Sequence, residues 1–252
     1  MSSAGDIEAI ERATLQAVAP EVVESLPGWL LPMDSGTVGR ARSAVPLHHG
    51  APDLDLLEPL LARYVARGFV PSFRLPDLPA FEDFQRSLAQ RGFVRAKPTL
   101  TQTTPVHALP AVDPDPDVAL ADAPDHAWMA MFLGPGLDPV DGASRAHSLA
   151  RATGTRFASL REGGETVACG AASFSHGWLG VHGMRTAAAQ RGRGLAARLL
   201  KAMAAEAARC GIEQVFLQVD ASNAPALSLY RRLGFSTAWP YAYWQPADPG
   251  AV

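Results

Sequence analysis

Residues 184–196 read Met184-Arg-Thr-Ala-Ala-Ala-Gln-Arg-Gly-Arg-Gly-Leu-Ala196, and this stretch is the strongest indication of the fold. Up to Thr186 the pattern predicts a strand, and from Leu195 it predicts a helix rich in alanine and leucine. The loop between them contains two glycines and two arginines. Its backbone N–H groups lie at a helix N-terminus, where the helix dipole, the glycines and the arginines all favour an anion. The stretch is therefore either a pyrophosphate-binding loop or an ordinary strand-to-helix turn.

A second run follows after one predicted helix and one predicted strand, and it reads Asn223-Ala-Pro-Ala-Leu-Ser-Leu-Tyr-Arg-Arg-Leu-Gly-Phe235. Asn223 suits the N-cap of a helix, and Tyr230 lies about two helical turns later on nearly the same face. Both side chains can therefore face one cleft. Packing alone also explains Tyr230, and capping alone explains Asn223.

Together the two runs resemble the sequence motifs of the GNAT superfamily of N-acetyltransferases. Residues 191–196 fit the pattern R-x-x-G-x-A, and residues 223–235 fit N-x-x-A-x-x-L-Y-x-x-x-G-F. The resemblance covers about residues 117–245. It implies an α/β fold with a mixed, twisted sheet flanked by helices, in which acetyl-CoA, as cosubstrate, lies where two strands splay apart in a V.

The same resemblance implies roles for particular residues. Tyr230 becomes the catalytic acid beside the CoA sulfur, and Asn223 the asparagine of the second motif. The implied cofactor-binding residues are Met184, Arg185, Thr186, Arg191, Gly192, Arg193, Gly194, Leu195, Ala196, Asn223 and Tyr230. Of these, Arg193 is equally well explained as a solvated side chain.

Direct acyl transfer needs a neutral amine, stabilisation of an oxyanion and a proton for the departing thiolate. The reference pKa of tyrosine, about 10, exceeds that of a thiol by roughly 1.5 units, so a hydrogen bond that matures into proton transfer is the expected role of Tyr230. Strand alternation predicts that His182, Met184 and Thr186 share one face. This makes His182 either a candidate base or a half-buried histidine without a function. The aromatic residues that can line an acceptor pocket, or simply pack in the core, are Trp178, Trp239, Tyr241, Tyr243 and Trp244.

The two halves of the chain have the same order of elements. Each runs helix, glycine, strand, helix, Gly-Phe, strand, and the glycine offsets are 211 − 68 = 143 and 234 − 92 = 142. The first half has no arginine–glycine loop, and Leu88 stands where Tyr230 stands in the second. We therefore predict a tandem protein: residues 1–107 form a degenerate GNAT-like domain, 108–116 a Pro/Asp-rich linker, and 117–252 the catalytic domain with its own mixed sheet and the one cofactor site.

Individual elements follow from hydrophobic periodicity and from Gly and Pro punctuation. In the first half the pattern predicts helices at 6–26, 54–67 and 79–91, and strands at 28–33, 37–45, 69–75 and 93–106. In the second half it predicts helices at 125–133, 142–153, 195–209 and 223–233, and strands at 117–121, 156–161, 166–175, 178–186, 212–219 and 235–245. The tail from Pro246 is expected to fray.

Bulk properties exclude several classes of protein. A net charge of −3 gives no general reason to bind nucleic acid or a membrane surface. The N-terminus lacks a signal peptide, no apolar run approaches roughly 20 residues, and the two cysteines lack metal-ligand spacing, so we expect a cytoplasmic monomer or homodimer without a metal. No G-K-[ST] follows the glycines, which disfavours a nucleotide-binding module.

The predicted function is an acetyl-CoA-dependent N-acetyltransferase that acts on a primary amine of a small molecule or of a protein N-terminus. The alternative is a non-catalytic acyl-CoA-binding sensor or scaffold. Tyr230 favours the enzyme, because binding alone requires only the loop.

Overall fold

The structure is a computed structural model that describes residues 3–109, 115–134 and 136–248. Its helices are α1 (Ala4–Val18), α2 (Leu57–Ala66), α3 (Glu82–Gln90), α4 (His126–Ala130), α5 (Pro139–Ala150), α6 (Leu195–Arg209) and α7 (Ala224–Arg232). Its strands are β1 (Val22–Leu26), β2 (Trp29–Met33), β3 (Val45–Pro46), β4 (Phe73–Pro76), β5 (Phe93–Pro105), β6 (Val118–Ala121), β7 (Thr155–Glu162), β8 (Glu165–Ser175), β9 (Trp178–Thr186), β10 (Gln214–Asp220) and β11 (Ser236–Pro246).

Eight of these strands form one mixed sheet in the order β4-β11-β5-β10-β9-β8-β7-β6. β9 and β10 run parallel, and the other neighbouring strands of this sheet are antiparallel. The remaining strands form a small antiparallel sheet, β1-β2-β3, in the first half. The predicted mixed α/β class is confirmed.

The two halves share the large sheet and do not have one each, which differs from the prediction. β5, from the first half, lies between β10 and β11 of the second, and β4 pairs with the other edge of β11. β4 and β5 of the first half correspond to β10 and β11 of the second half. β4 pairs with β11 in the same way as β10 pairs with β5, and the two pairs meet at β5–β11. An approximate two-fold axis therefore relates the equivalent strands. The division at residues 108–116 stays a prediction, and residues 110–114 of it lie outside the described residues.

The internal repeat is visible in the backbone. Gly68 and Gly211 end equivalent helices with φ values of 74° and 73°. Gly92 and Gly234 do the same with φ values of 80° and 84°. Left-handed φ at a helix end favours glycine, so these four positions explain the constant spacing seen in the sequence.

The long helix α6 covers the face of the sheet beneath the glycine loop. Its predicted stripe, Leu195, Leu199, Met203 and Ala207, is fully buried. This packing fixes the start of α6 relative to the end of β9, where the anion-binding loop was predicted.

Two predicted elements are wrong. The first helix ends at Val18 and not at residue 26, because Ala19 is left-handed and Pro20 removes a backbone donor; residues 22–26 instead form β1. The strand predicted at 37–45 is a short 3₁₀ turn followed by β3. At the C-terminus, β11 continues to Pro246, and residues 249–252 lie outside the described residues.

Candidate active site

The parallel strands β9 and β10 separate halfway along their length. Their pairing ends at Val181 and Leu217, although β9 continues to Thr186 and β10 to Asp220. A cavity of about 260 Å³, here named the cleft cavity, lies at this opening. Its lining includes His182, Met184, Arg185, Asn223 and Tyr230.

A bulge at Gly183 alters the course of β9 beside the opening. Cys169 of β8 pairs with Arg185 and Ala171 pairs with His182, so β9 has one more residue than β8 between these pairs. Gly183 has a φ of 60°, a conformation that favours glycine. The extra residue places His182 and Arg185 on one face of β9 and Met184 on the other.

The prediction that His182, Met184 and Thr186 share a face is therefore wrong. His182 lies against Ser173, whereas Met184 lies over Gly170 and packs with the core beneath α6. Simple alternation fails here because a bulge shifts the phase of a strand by one residue.

His182 is a neutral, buried group. Only 2% of its surface is exposed, its Nε2 lies 3.1 Å from the Ser173 hydroxyl, and its Nδ1 has no partner among the described residues. Burial, with the positive charge of Arg40, lowers the pKa of His182 to about 3. A histidine with this pKa is a weak base, so the geometry gives no support to His182 as the general base.

Tyr230 faces the cleft cavity from α7. Its ring packs on Phe235 with the ring centres 5.7 Å apart, and its hydroxyl makes no hydrogen bond to the described residues. Burial raises the pKa of Tyr230, so the phenol keeps its proton at neutral pH. Asn223 caps α7 by accepting a hydrogen bond of 3.2 Å from the Ala226 N–H, and it also lines the cavity.

The glycine loop begins α6 without a side-chain cap. Gly192 and Gly194 have φ values of 78° and 77°, and a Cβ added at either position would have nothing within 4 Å. Gly194 occupies the N-cap position, and the backbone N–H of Ala197 bonds back to its carbonyl at 3.0 Å. The earlier N–H groups of the helix are therefore available to an external anion.

Not every predicted site residue lines the cleft cavity. Thr186 and residues 191–196 are not part of its lining. Arg193 is held by an ion pair to Glu162, with N–O distances of 2.7 and 3.1 Å, and it also contacts Gln190. Arg193 is thus an exposed side chain in a surface ion pair, and its contact with a cofactor stays a prediction.

A larger cavity of about 720 Å³, here named the outer cavity, adjoins the cleft cavity. The two share lining residues, among them Arg40, Arg145 and Gln218. Both halves build the outer cavity: Arg40 of the first half donates to the Gln218 side chain of β10 at 2.9 Å. Of the predicted aromatic residues, Tyr241 and Tyr243 line it. The other three pack in hydrophobic cores: Trp178, Trp239 and Trp244.

Sequence reasoning missed the first-half residues of the outer cavity, Arg40, Arg42 and Lys97. They carry no shared motif, and Arg40 is 178 positions from its partner Gln218. One local signal existed: Pro98 follows Lys97 inside a strand, and proline within a strand often marks a bulge.

Metal binding, membrane insertion and thiol chemistry at Cys169 find no support in the described residues. Within residues 3–109, 115–134 and 136–248 there is no group of three or more His, Cys, Asp or Glu side chains that could hold a metal. Over the same ranges no helix has the length and apolar character needed to cross a bilayer. Cys169 is buried, which raises its pKa to about 12 and keeps the thiol protonated.

Solved structures share this architecture. A GCN5-related N-acetyltransferase from Kribbella flavida superposes with a TM-score of 0.70 at 18% identity, covering 96% of both chains. A tandem GNAT protein from the clavulanic acid biosynthesis pathway superposes with a TM-score of 0.57 at 16% identity, covering 98% of both chains. At these identities the likeness shows the fold.

Sequence comparison identifies relatives as well. A mycothiol acetyltransferase of Corynebacterium aurimucosum is 43% identical over 58 residues, which are 23% of this chain and only 19% of that protein. The family model described as "Probable histone acetyltransferase Rv0428c C-terminal" matches residues 4–244, nearly the whole chain. The chain therefore belongs to this family, whose description names an acetyltransferase, and it has the fold of the GNAT structures.

Proposed function

We propose that the chain transfers an acetyl group from acetyl-CoA directly to a primary amine at the opening between β9 and β10. One observation carries the proposal. The parallel pairing stops at Val181 and Leu217, and the cavity formed there is lined by Tyr230, whose hydroxyl donates to no described residue. A phenol that is free to donate, beside an unpaired strand edge, suits a thioester that needs both a strand partner and a proton donor.

The features around the opening fit coenzyme A. The uncapped start of α6, with Gly192 and Gly194, suits the pyrophosphate, because no side chain competes for the N–H groups there. The edge of β9 from residue 182 onward has no paired strand on the β10 side among the described strands, so its backbone can pair with an amide-bearing arm. Asn223 and Tyr230 close the other side of the cleft cavity.

The reaction needs a site that stabilises an oxyanion, a proton donor for the sulfur, and a route for the proton that the nitrogen loses. Backbone N–H groups on the free edge of β9 stabilise the oxyanion that develops when the amine attacks the carbonyl carbon. The C–S bond then breaks, and the Tyr230 hydroxyl donates its proton to the departing sulfur. The proton that the nitrogen loses replaces it, through solvent. The raised pKa of Tyr230 keeps its proton in place until the sulfur becomes basic.

We expect the amine to enter from the outer cavity, which shares Arg40 and Gln218 with the lining of the cleft cavity. The names of relatives suggest different acceptors: the family description names a histone, and the partial relative is a mycothiol acetyltransferase. The acceptor must therefore be inferred from the pocket of this chain.

Turnover separates an enzyme from an acyl-CoA-binding sensor. The purified protein is incubated with acetyl-CoA and a panel of amines, and the release of free thiol is followed. We expect release that depends on the acceptor, with the acetylated amine detected by mass spectrometry. Tight CoA binding without acceptor-dependent release across a broad panel would establish the sensor instead.

A further inference from the structure

The outer cavity has an uneven balance of charge. Its lining carries three carboxylates and four cations, and the four cations are Arg40, Arg42, Lys97 and Arg145. Which of these charges an acceptor can use depends on which are already bonded within the protein.

All three carboxylates are engaged. Asp138 caps α5 by accepting a hydrogen bond of 2.8 Å from the Asp141 N–H. Asp141 accepts from Arg145 at 2.6 Å and from the Thr37 hydroxyl at 2.7 Å. Each of these contacts occupies a carboxylate oxygen that could otherwise accept a hydrogen bond from a cationic ligand.

The third carboxylate, Asp220, accepts from the backbone N–H and the hydroxyl of Ser222, at 2.8 and 2.5 Å. The pKa of Asp220 is lowered by these bonds, first by the hydroxyl. Only Asp141 is paired with a cation, Arg145, whereas Asp138 and Asp220 are bonded to neutral groups and keep their negative charge.

Three of the four cations form no salt bridge, against two of the three carboxylates, so the unpaired charge of the lining is positive by one. Arg40 bonds only to the neutral side chain of Gln218, at 2.9 Å, and Arg42 only to the carbonyl of Gly36, at 3.3 Å. The side-chain ammonium of Lys97 makes no hydrogen bond or salt bridge with the described residues and is exposed. Its charge helps to lower the pKa of Asp141, after the hydrogen bonds from Arg145 and Thr37. The charge of Arg40 acts on the carboxylate of Glu11, but that carboxylate already accepts hydrogen bonds from both terminal nitrogens of buried Arg74.

Lys97 is placed by an irregular strand. Between the pairs Ala96–Tyr243 and Thr99–Tyr241, β5 has one residue more than β11. Lys97 lies in this bulge with a φ of 49°, a left-handed conformation that is strained for a residue other than glycine. Strain of this kind persists where the surrounding structure enforces it and is concentrated at functional sites. Here it sets the side chain of Lys97 in the cavity wall.

We propose that the acceptor is an amine that also carries an acidic group, a carboxylate or a phosphate, and that Arg42 and Lys97 bind that group. This inference rests on the proposed function. Arg42 and Lys97 line only the outer cavity, whereas Arg40 lines both cavities. An acceptor whose acid lies between Arg42 and Lys97 therefore directs its amine toward the cleft.

The same charges favour the reactive form of the amine. A positive environment disfavours an ammonium ion and so lowers the pKa of a bound amine. Arg40 at the junction of the cavities acts in this direction, and a neutral amine is the nucleophile. An acceptor with several positive charges, such as a lysine-rich peptide, meets repulsion from the same three side chains.

Matched pairs of acceptors test the inference. The probes are β-alanine and 4-aminobutyrate against their amides, and 3-aminopropyl phosphate against 3-aminopropanol, with acetyl-CoA saturating and thiol release followed. We expect kcat/KM to be at least about tenfold higher for the acidic member of a pair, as for the gain of one charge-assisted hydrogen bond. The carboxylate and phosphate pairs together show which acidic group the site prefers.

Variants then assign the preference to named side chains. In Lys97→Met and Arg42→Met, the ratio of kcat/KM for acid to amide should fall toward one. Lys201→Met, on α6 and outside both cavities, should leave the ratio unchanged. If the neutral or polycationic acceptors are used as well as the acidic ones, the inference is overturned while the acetyltransferase stands. If no compound releases thiol although CoA binds, both fall together.

Discussion

At the scale of single residues, the account depends most on the Tyr230 hydroxyl. It is a buried phenol, its pKa is raised by burial, and it has no hydrogen-bond partner in the described part of the protein. A phenol in a cavity wall that makes no hydrogen bond to the protein is free to donate to a bound ligand. The departing sulfur is the partner that the proposed reaction supplies.

Replacing Tyr230 by Phe should therefore reduce turnover while preserving the fold. We expect kcat to fall about a hundredfold or more, as is typical for loss of a general acid, with CoA affinity and the free energy of unfolding almost unchanged. Steady-state kinetics, CoA titration and urea denaturation check the three parts.

Tyr64→Phe is the matched control. The Tyr64 hydroxyl donates to the Pro32 carbonyl at 3.0 Å in the core, so its loss should cost about 1–3 kcal/mol of stability without changing kcat. A Tyr230→Phe enzyme with normal turnover would show that the phenol is only a packing group.

In the second half, the sequence predicts which side chains face the cleft where a regular helix determines their direction. Asn223 and Tyr230 lie two turns apart on α7, and both line the cleft cavity, as expected. His182 could not be placed correctly, because its phase depends on the bulge at Gly183. The glycine inside the strand was the available signal.

At the scale of elements, the bulge in β9 determines which side chains face the cleft. Gly183 has both a left-handed φ of 60° and close neighbours: a Cβ there would lie 2.6 Å from Leu149 Cδ1 and 3.0 Å from Phe132 Cζ. The position therefore requires glycine for conformation and for space. Both neighbours belong to the hydrophobic cluster around helices α4 and α5, which covers this face of the sheet.

Gly183→Ala should destabilise the protein by about 2–5 kcal/mol, which combines the left-handed strain with overpacking. Gly163→Ala separates the two effects, because Gly163 has a φ of 58° and nothing within 4 Å of the added Cβ. We expect about 1–2 kcal/mol for that control, measured by urea denaturation. Equal losses in the two variants would mean that the contacts with Leu149 and Phe132 do not constrain the bulge.

The long elements of the second half follow from the sequence because their local patterns and their tertiary surroundings agree. β9 and α6 begin and end where periodicity predicts. The failures lie in the first half, where residues 22–26 are read as helix despite Pro20, and residues 37–45 have no regular pairing along most of their length. Short strands with few partners leave a weak pattern.

At the scale of the whole molecule, the two halves are joined by strand pairing within one sheet and not only by the chain between them. β5 is paired on both edges by strands of the second half. Separating the halves would expose these edges together with the apolar faces packed on them. The outer cavity also requires both halves, since Lys97 lies opposite the start of α5.

A chain cut between residues 108 and 116 should therefore remain one particle. With a protease site inserted there, we expect the two fragments to elute together in size-exclusion chromatography and to unfold in urea in a single transition. The uncut protein with the same insertion is the control. Fragments that separate in buffer and keep their circular dichroism would show that each half is an independent domain.

The sharing of strands could not be predicted, because it leaves no trace in local periodicity. Gly68 and Gly92 reveal that the repeat exists, but equivalent strands have the same pattern whether they pair within a half or across halves. The cationic wall of the outer cavity was hidden for a similar reason, since Arg40 and Lys97 meet the second half through tertiary contacts, a side-chain hydrogen bond to Gln218 and the pairing of β5 with β11.

The central claim is that each chain has one coenzyme A site, formed by the glycine loop and the opening of β9 and β10. Isothermal titration with CoA tests it directly. We expect one molecule bound per chain, an affinity at least about tenfold weaker in Gly194→Trp, and an unchanged affinity in Gly211→Trp, which places the same side chain at the opposite end of α6. Two molecules bound per chain, or an affinity unaffected by Gly194→Trp, would contradict the account.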